Sequence, residues 1–304
     1  MGQSYGSGQA GFGPVSWGVV GCLLALMAAA VWVARHPVSG PLLVARIRDA
    51  AQFDRLQRLF SERASAAAAT LRSRLRLEEV AGAALLASLA AVVLLAVGFT
   101  ALLDDVLEGE GVATIDQPAA RWLAEHRDLW LTRVLTVLTE VGGPAGQTAW
   151  VVLVSALAAR RARSWLPVAL GVVGGGGIAV VVATAKVLVG RDRPAEPFAV
   201  IPEHGYSFPS GHATGGAAVG LLCAWMLCRW VVRAWAAQVT VWAATIATIG
   251  LVGFSRVYLG VHYVTDVLAG WLLGAAWAGA VILVASWWSS AQRQRDASGG
   301  GGAR

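Results

Sequence analysis

The hydrophobic positions of this chain fall in long unbroken runs. They show neither the alternation of a half-buried strand nor the single stripe of a soluble helix. Apolar runs lie near 17–34, 81–103, 146–160, 165–189, 213–232, 236–254 and 266–288. Most approach or exceed the roughly 20 residues an α-helix needs to cross a bilayer. The pattern therefore predicts an all-α polytopic membrane protein with seven spans. The third run is short, and its helix is expected to begin earlier, around the "VGGP" at 141–144. No basic residue precedes the first run and no small-residue cleavage pattern follows it, which favours a retained span over a cleaved leader.

Composition agrees with the pattern. The chain is 57% hydrophobic and 14% charged, with mean hydropathy +0.61, whereas a soluble domain carries about 25% charged residues. The net charge of +6 comes from arginines beside the apolar runs and does not call for nucleic acid. Cys22, Cys223 and Cys228 lie inside those runs and read as small buried side chains, with neither metal-ligand spacing nor a disulfide framework. The "VVGGGG" at 172–177 lacks the polar partners of a phosphate cradle, so close helix packing is expected there.

The polar residues orient the spans. Segment 35–80 carries nine arginines and reads as amphipathic surface helices. Arg160, Arg161 and Arg163, then Arg229 and Arg233, then Arg293 and Arg295 fall on the same side if the spans alternate. Basic loops stay cytoplasmic, which puts the N-terminus outside and the C-terminus inside. Loop 104–145 opens with Asp104, Asp105 and Glu108 and falls outside, its periodic stretch 121–139 lying along the interface. The expected organisation is an N-terminal span with a cytoplasmic segment (1–80), a six-helix membrane catalytic domain (81–288) and a flexible tail (289–304).

Two outer segments run against this charge trend. Segments 190–212 and 255–265, with their flanks, contain Lys186, Arg191, Arg193, His212, Arg256 and His262. An anion bound at the outer face would account for them. Lys186 is the only lysine among 24 basic residues. A charge near the end of a span is costly and marks a site by default, although snorkelling to the interface is the plain alternative. Arg193 offers a planar fork to phosphate oxygens, while Arg191 and Asp192 read as solvated loop residues. In "PSGH", 209–212, a tight turn aims the Ser210 hydroxyl and the Gly211 amide at an anion, at a helix N-terminus that favours negative charge. His212 then stands where a leaving oxygen could take a proton. In "SRVYLGVHYVTD", 255–266, Arg256 is another fork. His262 and Asp266 are four apart and share a helix face, so the carboxylate can orient the imidazole as nucleophile or base.

Taken together, the three segments resemble the type 2 phosphatidic acid phosphatase (PAP2) superfamily. Its pattern is Lys-x6-Arg-Pro, then Pro-Ser-Gly-His, then Ser-Arg-x5-His-x3-Asp. Lys186, Arg193 and Pro194 match the first part, residues 209–212 the second, and Ser255, Arg256, His262 and Asp266 the third. The resemblance covers roughly 81–288 as a six-helix core with one additional N-terminal transmembrane helix, and residues 1–80 lie outside it. It implies a phosphatase that needs no metal or cofactor. His262 would form a phosphohistidine, Asp266 would orient it, and His212 would serve as acid and base. Lys186, Arg193, Ser210, Gly211 and Arg256 would bind the phosphate. The implied substrate is an isoprenyl (undecaprenyl) diphosphate or related lipid phosphate, met at the outer face of a bacterial inner membrane. A phosphatidate or phosphatidylglycerol-phosphate phosphatase is the alternative. A non-catalytic transporter or scaffold with a relic site is the alternative of another class. The implied partners are the lipid substrate and membrane lipids, not nucleic acid, and an oligomer is compatible with the pattern.

Overall fold

The computed structural model of the protein describes residues 13–36, 79–194 and 198–299. The described residues are helical, with no strand among them. The helices are α1 (Pro14–Arg35), α2 (Glu79–Glu108), α3 (Asp116–Glu125), α4 (Leu129–Val141), α5 (Pro144–Ala162), α6 (Leu166–Val189), α7 (Gly211–Trp230), α8 (Trp235–Tyr258) and α9 (Val264–Gly299). Six of them, α1, α2, α6, α7, α8 and α9, are long and apolar enough to cross a membrane. The protein is thus an all-α multi-pass membrane protein.

The third apolar run departs from a straight span. It lies in α5, which meets α4 at a bend of 51°, and only the pair together is apolar enough to count as a seventh span. Gly142 and Gly143 form the break, and Pro144 opens α5 at its first turn, where its missing N–H costs nothing. The stretch expected along the interface is split between α3 and α4 by a turn at 126–128. At the other end of the chain α9 runs on to Gly299, past the 288 at which its apolar run stops. The amphipathic segment expected within 35–80 lies outside the described residues from 37 to 78, as does the tail beyond 299.

Helix α7 is the centre of the bundle. It packs against α9 most extensively, then against α8 and α5. Its first turns are small: Gly211, Ala213, Gly215, Gly216 and Ala217. The facing residues of α9 are Gly270 and Gly274. A Cβ on Gly274 would lie 2.3 Å from the Thr214 carbonyl oxygen, and one on Gly270 would lie 2.9 Å from Thr214 Oγ1. Small residues let membrane helices approach to backbone contact, and this seam fixes the start of α7 against the start of α9.

The glycine cluster does serve packing. Helix α6 is wound as a π-helix over Val172–Gly176. A Cβ on Gly171 would strike Ser155 Oγ at 2.2 Å, and one on Gly174 would strike Leu222 Cδ2 at 2.2 Å. The indole Nε1–H of Trp277 donates to the Gly174 carbonyl at 3.1 Å. Leu222, Cys223, Met226 and Val154 form the apolar core at that level. A second core, around Leu135, Tyr258, Leu259 and Val267, lies nearer the loops that carry the polar motifs.

Helix α1 is tied to that second core at its N-terminal end. Val15 and Ser16 are its buried residues. The Gly13 amide donates to Asp128 Oδ1 at 3.2 Å, and the Ser16 hydroxyl donates to the same carboxylate. The Asp128 amide in turn donates to Tyr258 Oη at 2.7 Å. Asp128 precedes α4 but makes no side-chain cap for it; its oxygens serve α1.

Candidate active site

Four helix ends and two connecting segments build the site. Lys186 stands on the last turn of α6, Ser210 to His212 open α7, Arg256 lies on the last turn of α8, and Asp266 lies on the first turn of α9. His262 sits in the short connection between α8 and α9. That connection turns at Gly260, whose φ of +73° lies in the left-handed region, and a Cβ there would lie 1.9 Å from the Phe198 carbonyl oxygen. The backbone of the 198–206 loop therefore crosses directly over residue 260, and Arg127 clamps the crossing: its Nε–H donates to the Tyr258 carbonyl at 2.9 Å and its Nη2–H to the Phe198 carbonyl at 2.6 Å.

His262 is 2% exposed and Asp266 is fully buried. Their Nδ1 and Oδ2 atoms are 3.2 Å apart, and the Tyr263 amide donates to the same Oδ2 at 3.0 Å. On the other side of the ring, Arg193 Nη1–H faces His262 Nε2 at 3.2 Å. A guanidinium only donates, so Nε2 accepts and Nδ1 carries the proton toward Asp266. This tautomer leaves an unprotonated Nε2 beside Arg193, and both residues line the cavity. Burial pushes the imidazole down to about 4, against the pull of Asp266 in the other direction, so the ring is neutral at ordinary pH.

The cations converge on the same space. A cavity of about 850 Å³ is lined at its polar end by Lys186, Arg193, Glu203, Gly211, His212 and His262. Beyond them it continues between α5 and α6 along apolar residues such as Val151, Val168, Ile178 and Val182. Lys186 Nζ donates to the Tyr206 carbonyl at 2.5 Å, and Arg193 Nε to the Gly205 carbonyl at 2.9 Å. Arg256, 1% exposed, donates from Nη1 to Thr139 Oγ1 at 3.0 Å and pairs through Nη2 with Glu203. Arg193 lies 3.7 Å from the same Glu203 carboxylate. Burial alone would raise the Glu203 carboxyl, but the charge and hydrogen bond of Arg256 outweigh it and hold the group below its usual range. Burial lowers the Arg193 guanidinium, with Glu203 and Asp266 opposing.

Of the buried side-chain donors without a hydrogen-bond partner among the described residues, Ser210 Oγ and Arg256 Nε belong to the residues of this site. Ser210 precedes α7 at the position where a serine ordinarily caps its own helix, yet it makes no side-chain cap. Unsatisfied buried donors are costly, and these two stand next to residues that line the cavity, Gly211 beside Ser210 and Glu203 against Arg256. Neighbouring groups are held in place. Gln147 Nε2 donates to the His212 carbonyl at 3.1 Å, and Ser210 N–H donates to the Asp266 carbonyl at 3.0 Å. Among the described residues, no three His, Cys, Asp or Glu side chains cluster as metal ligands.

Lys186, Arg193, Ser210, Gly211, His212, Arg256, His262 and Asp266 are thus gathered at one end of the bundle. Arg191 corrects the sequence-based expectation. It is not a solvated loop residue but only 18% exposed, donating from Nη1 to Asp266 Oδ1 at 2.6 Å and from Nη2 to Asp116 Oδ2 at 2.7 Å. Burial would lower this guanidinium, but the two carboxylates raise it above its ordinary value. Asp116, Thr139 and Glu203 were not visible as site residues, since each is a lone polar residue far in sequence from the group it touches. The one signal was that Asp116 and Glu203 lie on segments already expected at the outer face.

Comparison with known proteins places this arrangement. The PAP2 superfamily profile matches residues 165–290. The chain is similar to phosphatidylglycerophosphatase B of Bacillus subtilis (strain 168), with 31% identity over 177 residues, covering 58% of this chain and 86% of the relative. It is similar to an undecaprenyl-diphosphatase of Sulfolobus acidocaldarius with 43% identity over 72 residues, 23% of this chain and 29% of the relative. Among solved structures, a transmembrane PAP2-type phosphatidylglycerolphosphate phosphatase from Bacillus subtilis superposes with a TM-score of 0.58 at 28% identity, covering 62% of this chain and 93% of the other.

Proposed function

This chain belongs to the PAP2 superfamily of membrane lipid phosphatases, and from that premise we propose that it hydrolyses an isoprenyl diphosphate, or a related lipid phosphate, at the outer face of a bacterial membrane through a phosphohistidine. The observation that carries this reading is the junction of two unlike surfaces. Lys186, Arg193, His212 and His262 meet at one end of a cavity whose remainder is mostly apolar. A phosphate head with a hydrocarbon tail is the chemistry that fits both.

In this reading the phosphoryl oxygens are held by Lys186, Arg193 and Arg256, by Ser210 Oγ and by the Gly211 amide. His262 Nε2 attacks phosphorus, and its bond to the bridging oxygen breaks. The negative charge of the bound substrate favours the protonated form of His212, which gives that proton to the bridging oxygen, so the lipid leaves as an alcohol or as a monophosphate. Asp266 keeps the Nδ1 proton and balances the positive charge of the phosphorylated ring. His212, now neutral, takes a proton from water as the water attacks the phosphohistidine, and inorganic phosphate leaves. Donors fixed in advance around the transferring phosphoryl group supply most of the stabilisation in such reactions. Nothing in these steps is routed through a metal ion.

A second substrate class, phosphatidylglycerol phosphate, is favoured by the likeness that spans 86% of the Bacillus subtilis relative. One panel separates the classes. Purified protein in detergent is offered an isoprenyl diphosphate, phosphatidylglycerol phosphate and phosphatidate, and phosphate release is measured. His262→Ala should release none from any of them. Wild type should yield an acid-labile phosphoprotein from labelled substrate. Label that persists in His262→Ala would remove His262 as nucleophile, and no release from any lipid by wild type would overturn the function.

A further inference from the structure

A second ion cluster lies behind His262, on the side away from the cavity. Asp266 divides its two oxygens: Oδ2 faces His262 Nδ1, and Oδ1 accepts from Arg191 Nη1 at 2.6 Å. A carboxylate free to turn about its Cβ–Cγ bond could present either oxygen or neither. The Tyr263 amide holds Oδ2 and Arg191 holds Oδ1, and together they remove that freedom. The guanidinium is itself immobilised, for Nη1 also donates to Thr265 Oγ1 at 2.8 Å, Nη2 donates to Asp116 Oδ2 at 2.7 Å, and its face lies 4.3 Å from the centre of the Tyr263 ring. Asp116, 2% exposed at the start of α3, accepts the Thr265 amide at 3.0 Å and the Thr265 hydroxyl at 2.5 Å. Arg191 Nη1 and Nη2 and both donors of Thr265 thus have carboxylate or hydroxyl acceptors within the cluster.

Such an arrangement is expensive if its only task is to hold the helices together. A buried ion network is often replaced by apolar side chains at no loss of stability. Here two carboxylates share one guanidinium, so the cluster keeps one net negative charge directly behind an imidazole that becomes positive when phosphorylated.

We infer that Asp116 and Arg191 are positioning residues that, acting through Asp266, fix the orientation of His262 and favour its phosphorylation. The inference rests on the reading of His262 as the nucleophile. Neither residue lines the cavity, whereas Lys186 and Arg193 do, so substrate binding does not fall to Asp116 or Arg191.

The test is rapid-quench phosphorylation with labelled lipid in wild type, Asp116→Asn and Arg191→Lys. Asp116→Asn keeps the shape and removes one charge. Arg191→Lys keeps the charge and removes the fork. Both should slow phosphoenzyme formation about 10-fold or more, while KM and the inhibition constant of inorganic phosphate stay within about twofold, because the loss falls on an orienting contact and not on binding. Phosphorylation at the wild-type rate in either folded variant overturns the inference, as does a loss that appears mainly in KM or phosphate inhibition. If neither variant yields folded protein by size-exclusion chromatography, the cluster is structural and the inference falls. The parent reading fails differently: wild type then turns over with no labelled His262 at all.

Discussion

At the residue scale the buried imidazole of His262 ties chemistry to stability. Burial holds it at about 4 in the folded protein, against an ordinary 6.5. Between those values the unfolded chain binds more protons than the folded one, so stability rises with pH through that window. It is lost as pH falls from about 6.5 toward 4. The solubilised protein should therefore melt at progressively lower temperature over this range, and His262→Gln, which keeps the bulk and cannot titrate, should flatten the slope. A slope unchanged in the variant would place its origin elsewhere. The same scale separates what the sequence reveals from what it hides. The His262–Asp266 pair is legible because its partners are only four apart, although the shared helix face expected of them is not what joins them: His262 lies in the connection before α9 and Asp266 on its first turn. Arg191 is not, because its partners Asp116 and Asp266 each lie 75 residues away, and a guanidinium judged by its loop neighbours alone looks solvated. Glu203 is hidden for the same reason, its partner Arg256 being 53 residues distant.

At the element scale the working geometry depends on the seam between α7 and α9. Ser210 and His212 ride on one helix and Asp266 on the other, so their separation is set by how closely Thr214 and Gly274 approach. Gly274→Ala puts a Cβ within 2.3 Å of a backbone oxygen, and backbone has no rotamer with which to yield. The two helices must move apart. Overpacking of this kind costs about 1–3 kcal/mol, and a shift of about 1 Å in a positioned group can cost 10²-fold in rate. The variant is expected to lose activity by that order and to melt earlier. Gly250→Ala in α8, where no atom lies within 4 Å of the added carbon, is the control and should retain both properties. Activity near wild type in Gly274→Ala would mean that the seam is slack. Helix existence was legible here because apolar runs of bilayer length have few other uses. The bend at Gly142–Gly143 and the π-helix at Val172–Gly176 were not, since both depend on what the glycines face: Val252 beside Gly142, Leu222 beside Gly174.

At the scale of the whole molecule the arginine pattern makes one claim, that the end of the bundle bearing the site faces outward. The structure supplies a handle for testing it. Asp128 ties the first residues of α1 to the same end as Tyr258 and His262, whereas the α5–α6 turn at Ser164 lies at the far end of both helices. In a background lacking Cys22, Cys223 and Cys228, single substitutions Glu125→Cys and Ser164→Cys probe the two ends at exposed positions. An impermeant thiol reagent on intact cells should label position 125 and spare position 164. The reverse would turn the protein over and move the chemistry to the cytoplasmic face.

The Glu203 carboxylate has a consequence for how a substrate arrives. The site is not ringed by bare cations, since Arg256 and Arg193 share an anion carried on the 198–206 loop. In the proposed reading, a phosphate that takes Arg256 through Nη2 trades places with it. Filling the site is then an ion exchange, one anion for another, and the net charge inside the bundle changes far less than a count of its arginines suggests. The exchanger is covalently attached to the loop that Arg127 pins over Gly260. Its counter-ion therefore cannot diffuse away when displaced. It stays at the mouth of the site as a tethered competitor, ready to return when phosphate leaves.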